Sequence, residues 1–289
     1  DEHSFMALET VGDLRQWLTN NKQGISFPTL DSTKDSRFYP AETGENKQSQ
    51  KKIQQEDSLN EPRWSIKQPI PFIRNLIQTL LILPFFRLYL CIRVQGRNNL
   101  NSLNPPFILA ANHTSHLDLV AILCALPQKF RKSLAPSMAK EYFQPLIYPE
   151  KYSCLTRFWY RLQYLLVCFL FNAYPLPRST AGTRRALRYA GEIADNGYST
   201  LIFPEGARSP DGNIQSFQPG VGLLAQELNL PVLPIRIQGL FSLFSKNHKF
   251  PRPGNIQVHF FPPLRAKPEE GPISLSSRLE TIIKDKESK

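Results

Sequence analysis

Two histidines and an aspartate lie close together in the segment Ala111–Asp118, which follows an apolar run. A histidine that pairs with a carboxylate can act as a general base, because imidazole titrates near neutral pH. Residues five apart on a regular helix point about 140° away from each other. His113 and Asp118 can therefore pair only if His113 lies in the turn and Asp118 in the first turn of the helix. Alternatively, Asp118 caps the helix with Ser115 and His113 is an ordinary loop histidine.

A second polar cluster, Pro204–Ser209, follows another apolar run. Open α/β sheets bind ligands at the carboxyl ends of their strands, where this cluster is expected to lie. Gly206 allows a substrate to approach the backbone closely, and the Arg208 guanidinium suits a phosphate group. The alternative is an ordinary surface turn, because Ser209–Gly212 has a typical turn sequence.

Short apolar runs that are bounded by Pro, Gly or Asn predict the strands that carry these clusters. Thr183–Asn196 has the spacing of an amphipathic helix, with Gly197 as its stop. Alternating strands and helices indicate an α/β fold with helices on the faces of a sheet. The predicted strands are Phe107–Ala111, Thr200–Phe203, Val232–Ile237 and Ile256–Phe261.

Residues 70–94 are strongly apolar, but their longest run without a charge, Asn75–Phe86, has only 12 residues. Crossing a bilayer takes about 20 apolar residues, and Pro84 is expected to interrupt a helix. We therefore predict one or two amphipathic helices in a membrane interface, with an ordinary core helix as the alternative. Leu155–Phe171 is a second such segment, for which a buried helix is equally compatible. The arginines expected to reach lipid phosphates are Arg74, Arg87 and Arg93.

Charge is distributed unevenly along the 289 residues, whose net charge is +11. Residues 1–70 have a net charge of −2 and residues 71–289 one of +13, so the second part should bind an anionic ligand. Nucleic acid is not the expected partner, because no dense patch of Lys and Arg with aromatic residues is evident. Four cysteines without paired spacing predict reduced core thiols in a cytosol-facing protein. The two histidines lack further ligands for a metal, so no metal site is predicted.

The amino-terminal region differs in composition from the rest. Residues 1–20 predict a short helix that resembles the last helix of acyl carrier domains, and residues 21–69 are a polar linker. This pattern suggests that the chain is the last part of a fusion. An upstream acyl-activating or carrier module would then be held at high local concentration by the linker.

Four blocks in order resemble the glycerolipid acyltransferase family, the 1-acylglycerol-3-phosphate acyltransferases, over about residues 85–265. They are His113-x₄-Asp118, Arg178 at a strand end, Phe203–Ser209, and Pro231 with Pro234. The resemblance implies an α/β fold with a mixed central sheet flanked by helices. The acyltransferase domain would span residues 70–289 and begin with amphipathic membrane-interface helices at 70–94. Two departures are Ala207, where members usually have threonine, and Gln218, where many have lysine.

The resemblance also implies an activity: acyl transfer to the free hydroxyl of 1-acylglycerol-3-phosphate, which gives phosphatidate. The donor would be acyl-CoA or acyl carrier protein, without a cofactor, at the cytoplasmic face of a membrane with the protein monotopic or peripheral. His113 would be the general base and Asp118 would hold its ring. The alternatives are another lysophospholipid or amino-lipid acceptor, and a non-catalytic lipid-binding scaffold. The implied substrate-binding residues are Arg178, Glu205, Gly206, Arg208 and Ser209.

Overall fold

The computed structural model describes residues 59, 61–176, 183–244 and 252–285, with backbone only for 183–185. The predicted helix at 1–20 and most of the linker at 21–69 lie outside the described residues, and so does Arg178.

A seven-stranded sheet forms the centre of the described part, in the order β1-β7-β6-β2-β5-β3-β4. Every neighbouring pair is parallel except β6 with β7, which confirms the expected mixed α/β sheet. The strands are β1 Leu90–Gln95, β2 Ile108–Ala111, β3 Leu134–Ala139, β4 Tyr174–Leu176, β5 Ser199–Ile202, β6 Val232–Gln238 and β7 Gly254–Phe260.

Helices cover both faces of this sheet. Side chains alternate along β2, so Leu109 packs into the same cluster as helix α2, while Ile108 packs with helices α7 and α9. The described helices are α1 Ile70–Tyr89, α2 Asp118–Ala125, α3 Gln128–Arg131, α4 Gln144–Ile147, α5 Cys154–Phe171, α6 Thr183–Asp195, α7 Gly220–Glu227, α8 Leu240–Leu243 and α9 Pro272–Lys284.

Helix α1 is continuous, and the expectation that Pro84 interrupts it is wrong. A π-helical turn at Gln78–Ile82 precedes the proline, and the Leu83 N–H donates to the Gln78 carbonyl five residues back. The wider turn relieves the clash that a proline ring makes with the preceding turn of an α-helix. Among the described residues, α1 is the one helix long and apolar enough to cross a membrane, by length and composition alone.

Arginine side chains of the apolar segment do not all reach outward as expected. Arg74 is 5% exposed, and its Nε donates to the Phe169 carbonyl at 2.7 Å while its Nη2 donates to that of Ser65 at 2.6 Å. Gln78 reaches the Leu170 carbonyl at 2.6 Å. The bonds to Phe169 and Leu170 satisfy carbonyls in the last turn of α5, which lack partners within their own helix. Arg74 therefore fastens α1 to α5 and is not available to a lipid phosphate.

The segment 70–94 also contains a strand, so helix is the wrong prediction for its last residues. Leu90–Gln95 forms β1, in which Arg93 is exposed. Cys91 lies exposed on the same strand, and Cys154 is exposed at the start of α5. The expectation of core thiols is thus correct for Cys124 and Cys168 only, because an edge strand and a helix end leave side chains uncovered.

Large apolar side chains are exposed on α1 and α5, which pack against each other. Helix α5 buries Tyr164 and Cys168 and leaves much of its remaining surface open, so it is not a buried helix. A soluble surface rarely gathers so many large apolar groups without a partner. The exposed residues are Phe72, Ile73, Leu76, Leu80, Leu81, Phe85 and Leu88 on α1, and Leu155, Phe158, Trp159, Leu165 and Leu166 on α5.

Candidate functional site

The loop that follows β2 begins with a buried asparagine. Asn112 is 2% exposed, and its amide nitrogen donates to the Ile237 carbonyl at 3.0 Å. Its amide oxygen accepts from the Ile237 N–H at 2.7 Å. The Asn112 side chain thus pairs with Ile237 of β6 as a further backbone residue of β2 would. The main chain can therefore leave the sheet directly before His113.

His113 and Asp118 meet in this loop. His113 Nδ1 lies 2.8 Å from Asp118 Oδ2, and Asp118 is the first residue of α2 and fully buried. The same oxygen accepts from the backbone N–H groups of Thr114 at 2.6 Å and Ser115 at 2.8 Å. The two interpretations that the sequence left open are therefore not exclusive, because Asp118 binds the turn amides and the imidazole at once.

Ser115 holds the turn from the other side. Its hydroxyl donates to the Phe244 carbonyl at 2.6 Å and accepts from the Leu117 N–H at 3.2 Å. Half of the expected capping box is present, since the Ser115 N–H donates to Asp118. The N-cap position belongs to Leu117 instead of Ser115.

The loop after β5 fixes His113 at three points. Glu205 Oε1 accepts from the His113 N–H at 2.7 Å, and the His113 carbonyl accepts from the Ser209 N–H at 2.8 Å. The Phe203 ring stacks on the imidazole with centroids 4.2 Å apart. Because β2 and β5 are parallel neighbours, both loops leave the same edge of the sheet. With both backbone groups and one ring face held, the orientation of His113 is set by neighbouring elements.

Glu205 is 7% exposed, and both of its oxygens bind backbone. Oε2 accepts from the Gln215 N–H at 3.0 Å, so the carboxylate joins the His113 loop to the segment after the turn. Burial raises the pKa of Glu205 above its ordinary value, and its two amide hydrogen bonds partly oppose this rise. The structure shows Glu205 holding the loop, while its implied contact with substrate stays a prediction.

Ser209 begins a turn, as the alternative interpretation expected. Its hydroxyl donates to Asp211 Oδ1 at 2.9 Å and accepts from the Gly212 N–H at 2.9 Å. Several hydrogen bonds within the turn lower the pKa of Asp211. The polar atoms of Ser209 are thus occupied within the protein, and its implied contact with substrate is untested.

Two implied substrate residues remain open to ligand. Gly206 has a φ of +70°, a conformation that side chains rarely adopt, and it lies in the turn closed by its N–H to the Phe203 carbonyl. Arg208 is half-buried, and no carboxylate of the described residues forms an ion pair with it. These features suit a phosphate ligand.

His116 is the second histidine of the segment Ala111–Asp118 and the other candidate for a base. It is exposed, and its ring lies 5.6 Å from that of Phe244. Partial burial lowers the pKa of His116, and the nearby Arg208 and His113 lower it further. Among the described residues no carboxylate pairs with His116, so His113 alone has the base-plus-carboxylate arrangement.

Residues 91–238, about half of the chain, match the protein family described as Acyltransferase. The chain belongs to the acyltransferase family. The chain is 28% identical over 169 residues to "1-acyl-sn-glycerol-3-phosphate acyltransferase BAT2, chloroplastic" of Brassica napus, covering 58% of this chain and 42% of that protein. It is 26% identical over 164 residues to "1-acyl-sn-glycerol-3-phosphate acyltransferase alpha" of Mus musculus, covering 55% and 50%. The chain spans about half the length of these relatives.

A solved structure of similar fold is "the 1-acyl-sn-glycerophosphate (LPA) acyltransferase, PlsC, from Thermotoga maritima". The TM-score is 0.52 at 24% identity, with 82% of this chain and 86% of that chain covered. At this identity the likeness concerns the fold. It confirms the expected mixed sheet flanked by helices.

Sequence reasoning missed the residues that hold the site together. Nothing in its local pattern distinguishes Asn112, whose partner lies 125 positions away. Gln215 binds Glu205 through its backbone amide, for which no side-chain signal exists. The stacking of Phe203 on His113 had a usable signal, since Phe203 ends an apolar run directly before a polar cluster that was expected at the carboxyl end of a strand.

Proposed function

We propose that this acyltransferase moves a fatty acyl group from acyl-CoA or acyl carrier protein to the free hydroxyl of 1-acylglycerol-3-phosphate. The observation that carries the proposal is the 2.8 Å contact between His113 Nδ1 and Asp118 Oδ2. It supports a base whose ring is oriented by a buried carboxylate. The names of the Brassica napus and Mus musculus relatives support the choice of acceptor.

The proposed chemistry uses the second ring nitrogen of His113. A hydrogen on Nδ1 donates to Asp118, which leaves Nε2 as the acceptor for the hydroxyl proton. The hydroxyl oxygen then bonds to the thioester carbonyl carbon, and the C–S bond breaks as the tetrahedral intermediate collapses. The thiolate leaves and takes the proton from the imidazolium. The substrate hydroxyl is the nucleophile, so no acyl-enzyme forms and the protein mainly orients the reactants.

Arg208 and Gly206 are proposed to receive the phosphate of the acceptor. Arg208 lies in the loop that contacts His113 and has no carboxylate partner among the described residues, so its donors suit a phosphate. The left-handed backbone at Gly206 keeps the approach free of a side chain. Arg178 would add a second guanidinium, as the family resemblance implies.

We further propose that the protein acts at a membrane surface, on its cytoplasmic face. The exposed apolar residues of α1 and α5 support this, because an acceptor with an acyl chain resides in a bilayer. A face of this kind would place the enzyme where that acceptor is found.

Thiol release tests the reaction. Long-chain acyl-CoA and lysophosphatidate in mixed micelles should give acceptor-dependent release, and His113→Ala should lower kcat about 10²–10⁴-fold, the range for loss of a general base. His116→Ala is the matched control and should retain most activity. Release unchanged in H113A would overturn the assignment of the base. Release that requires acyl carrier protein or a different lysolipid would identify another donor or acceptor.

A further inference from the structure

Three arginines converge on the end of α2 that is remote from His113. Arg87 Nη2 donates to the Cys124 carbonyl at 3.2 Å, and Arg97 Nη2 donates to that of Ala125 at 3.1 Å. Arg131 Nη1 donates to the next carbonyl, Leu126, at 3.0 Å. The guanidiniums come from α1, the segment after β1, and α3, so the fold brings them together from three places.

These cations have no anionic partner among the described residues. Each guanidinium has five N–H donors, and the bonds given above use one of them. Arg87 and Arg97 are exposed and Arg131 is half-buried, so donors remain open to a ligand. Burial lowers the pKa of Arg131, and the adjacent charge of Arg87 lowers it further, while Cys124 partly opposes this decrease.

The surrounding sequence offers no local counter-charge. Residues 62–140 contain ten Lys and Arg residues and one acidic residue, Asp118. Its carboxylate is fully buried at the opposite end of α2, about 12 Å away along an eight-residue helix. A concentration of cations of this kind attracts an anion from outside the chain.

We propose that Arg87, Arg97 and Arg131 form a second anion site, distinct from the catalytic loop, that binds the phosphate of an anionic phospholipid. We call this group the arginine cluster. Planar guanidiniums match phosphate oxygens with paired hydrogen bonds. The proposal rests on membrane contact by α1 and does not depend on which acyl acceptor is used.

The position of Arg87 favours a lipid phosphate over a soluble one. Arg87 lies in the last turns of α1, between Phe85, 60% exposed, and Leu88, 90% exposed. If those apolar side chains enter the acyl region, a guanidinium beside them lies at the level of the head groups. A free phosphate or the phosphates of CoA would have no need of this apolar border.

Vesicle co-sedimentation tests the site. The full chain is mixed with phosphatidylcholine vesicles or with vesicles that also contain phosphatidylglycerol. We expect tighter binding to the anionic vesicles, and we call the ratio of this affinity to that for neutral vesicles the gain. Arg87→Gln should reduce the gain about fivefold, which is the effect of one basic residue at an anionic surface. Binding to neutral vesicles should not change, because it depends on the exposed apolar side chains of α1 and α5 alone. An unchanged gain in R87Q would overturn the proposal.

Arg265→Gln is the matched control, because Arg265 also donates to a carbonyl at a helix end, Asn229, at 3.1 Å. That carbonyl follows α7, on the other face of the sheet from α2. R265Q should keep the full gain on anionic vesicles. An equal loss in R265Q would show diffuse attraction instead of a site.

Two further measurements keep the proposal falsifiable if R87Q does not fold. Inorganic phosphate should release the wild-type chain from anionic vesicles more than chloride at equal ionic strength, and equal release would overturn the site. Arg97→Gln should lower anionic-vesicle binding and leave the KM for acyl-CoA unchanged. A raised KM with unchanged vesicle binding would assign the arginines to the donor's phosphates and overturn the lipid site.

Discussion

The two ends of helix α2 handle charge in opposite ways. At the first end, one Asp118 oxygen receives three donors and is sealed from solvent. At the last end, three guanidiniums each donate to one carbonyl and remain partly open. Both arrangements follow the helix dipole, which favours an anion at the amino end and cations at the carboxyl end.

The difference lies in burial and in how firmly each charged group is held. The Asp118 carboxylate is fully buried and three contacts hold its Oδ2, which suits proton transfer because a base must be held within hydrogen-bond reach. The guanidiniums at the other end keep unused donors open to solvent, which suits reversible binding of an anion. One short helix therefore links a fixed site to an adaptable one.

Asp118→Asn gives the largest expected effect on this comparison. The amide is nearly isosteric, and its oxygen can keep the three donors while its NH₂ replaces Oδ1, which has no hydrogen-bond partner among the described residues. The variant thus removes charge with little change in shape, and the imidazolium loses its stabilising anion. We expect kcat in the thiol-release assay to fall about 10²-fold, within the range for impaired acid–base catalysis.

The control for Asp118→Asn is the unfolding free energy, followed by circular dichroism in urea. A buried amide NH₂ without a partner costs about 1–3 kcal/mol, so the variant should fold. An unchanged kcat would show that the carboxylate only positions the turn.

Arg131→Gln tests the other end of α2 and should act on stability. It removes a charged donor from the Leu126 carbonyl and a cation from the helix terminus. We expect the unfolding free energy to fall by about 1 kcal/mol. Arg161→Gln, an exposed position on α5, is the matched control and should change it by less than about 0.5 kcal/mol. Equal losses in both variants would mean that the arginine does not stabilise the helix end.

Glu205→Gln gives the smallest expected effect, a change in how stability depends on pH. Burial raises the pKa of Glu205 in the folded state, so the folded protein binds this proton more tightly than the unfolded chain does. The contribution of Glu205 to stability should therefore increase as pH falls through the raised pKa towards the ordinary value of 4.5. Urea unfolding of the wild type and of E205Q over this pH interval measures the difference between their unfolding free energies. The advantage of the wild type over E205Q should become smaller, or reverse, at neutral pH. A difference that grows with rising pH would contradict the assignment.

The sequence predicts β2, β5 and β6 well because they are largely buried on both faces, and β7 because every second residue is buried. Their apolar runs lie between breaking residues, and β2, β5, β6 and β7 begin and end within two residues of the predicted limits. Strand β3 gives no such signal, since Pro136 lies in the middle of small and polar residues. Pairing of β3 with β5 makes it a strand, and that contact is not local.

In the candidate site, too, the sequence predicts the local arrangement but not the contacts between distant residues. The spacing from His113 to Asp118 shows which residues can meet, and the structure brings them together. Local pattern cannot show that Glu205 binds the backbone of His113, because 92 positions separate them and a glutamate beside glycine equally suits a ligand. The outward path expected of Arg74 fails for the same reason, since its partner carbonyl at Phe169 belongs to α5, 95 positions away.

Asn112 has a consequence for which sequences can build this site. Its amide presents a donor and an acceptor side by side to the N–H and C=O of Ile237, as a peptide group would. Aspartate offers two acceptors, leucine offers neither, and glutamine is one methylene too long for the same reach. The residue type at position 112 therefore determines where β2 can end while β6 stays paired. A designer who transplants the His113 loop to another sheet must carry this asparagine with it.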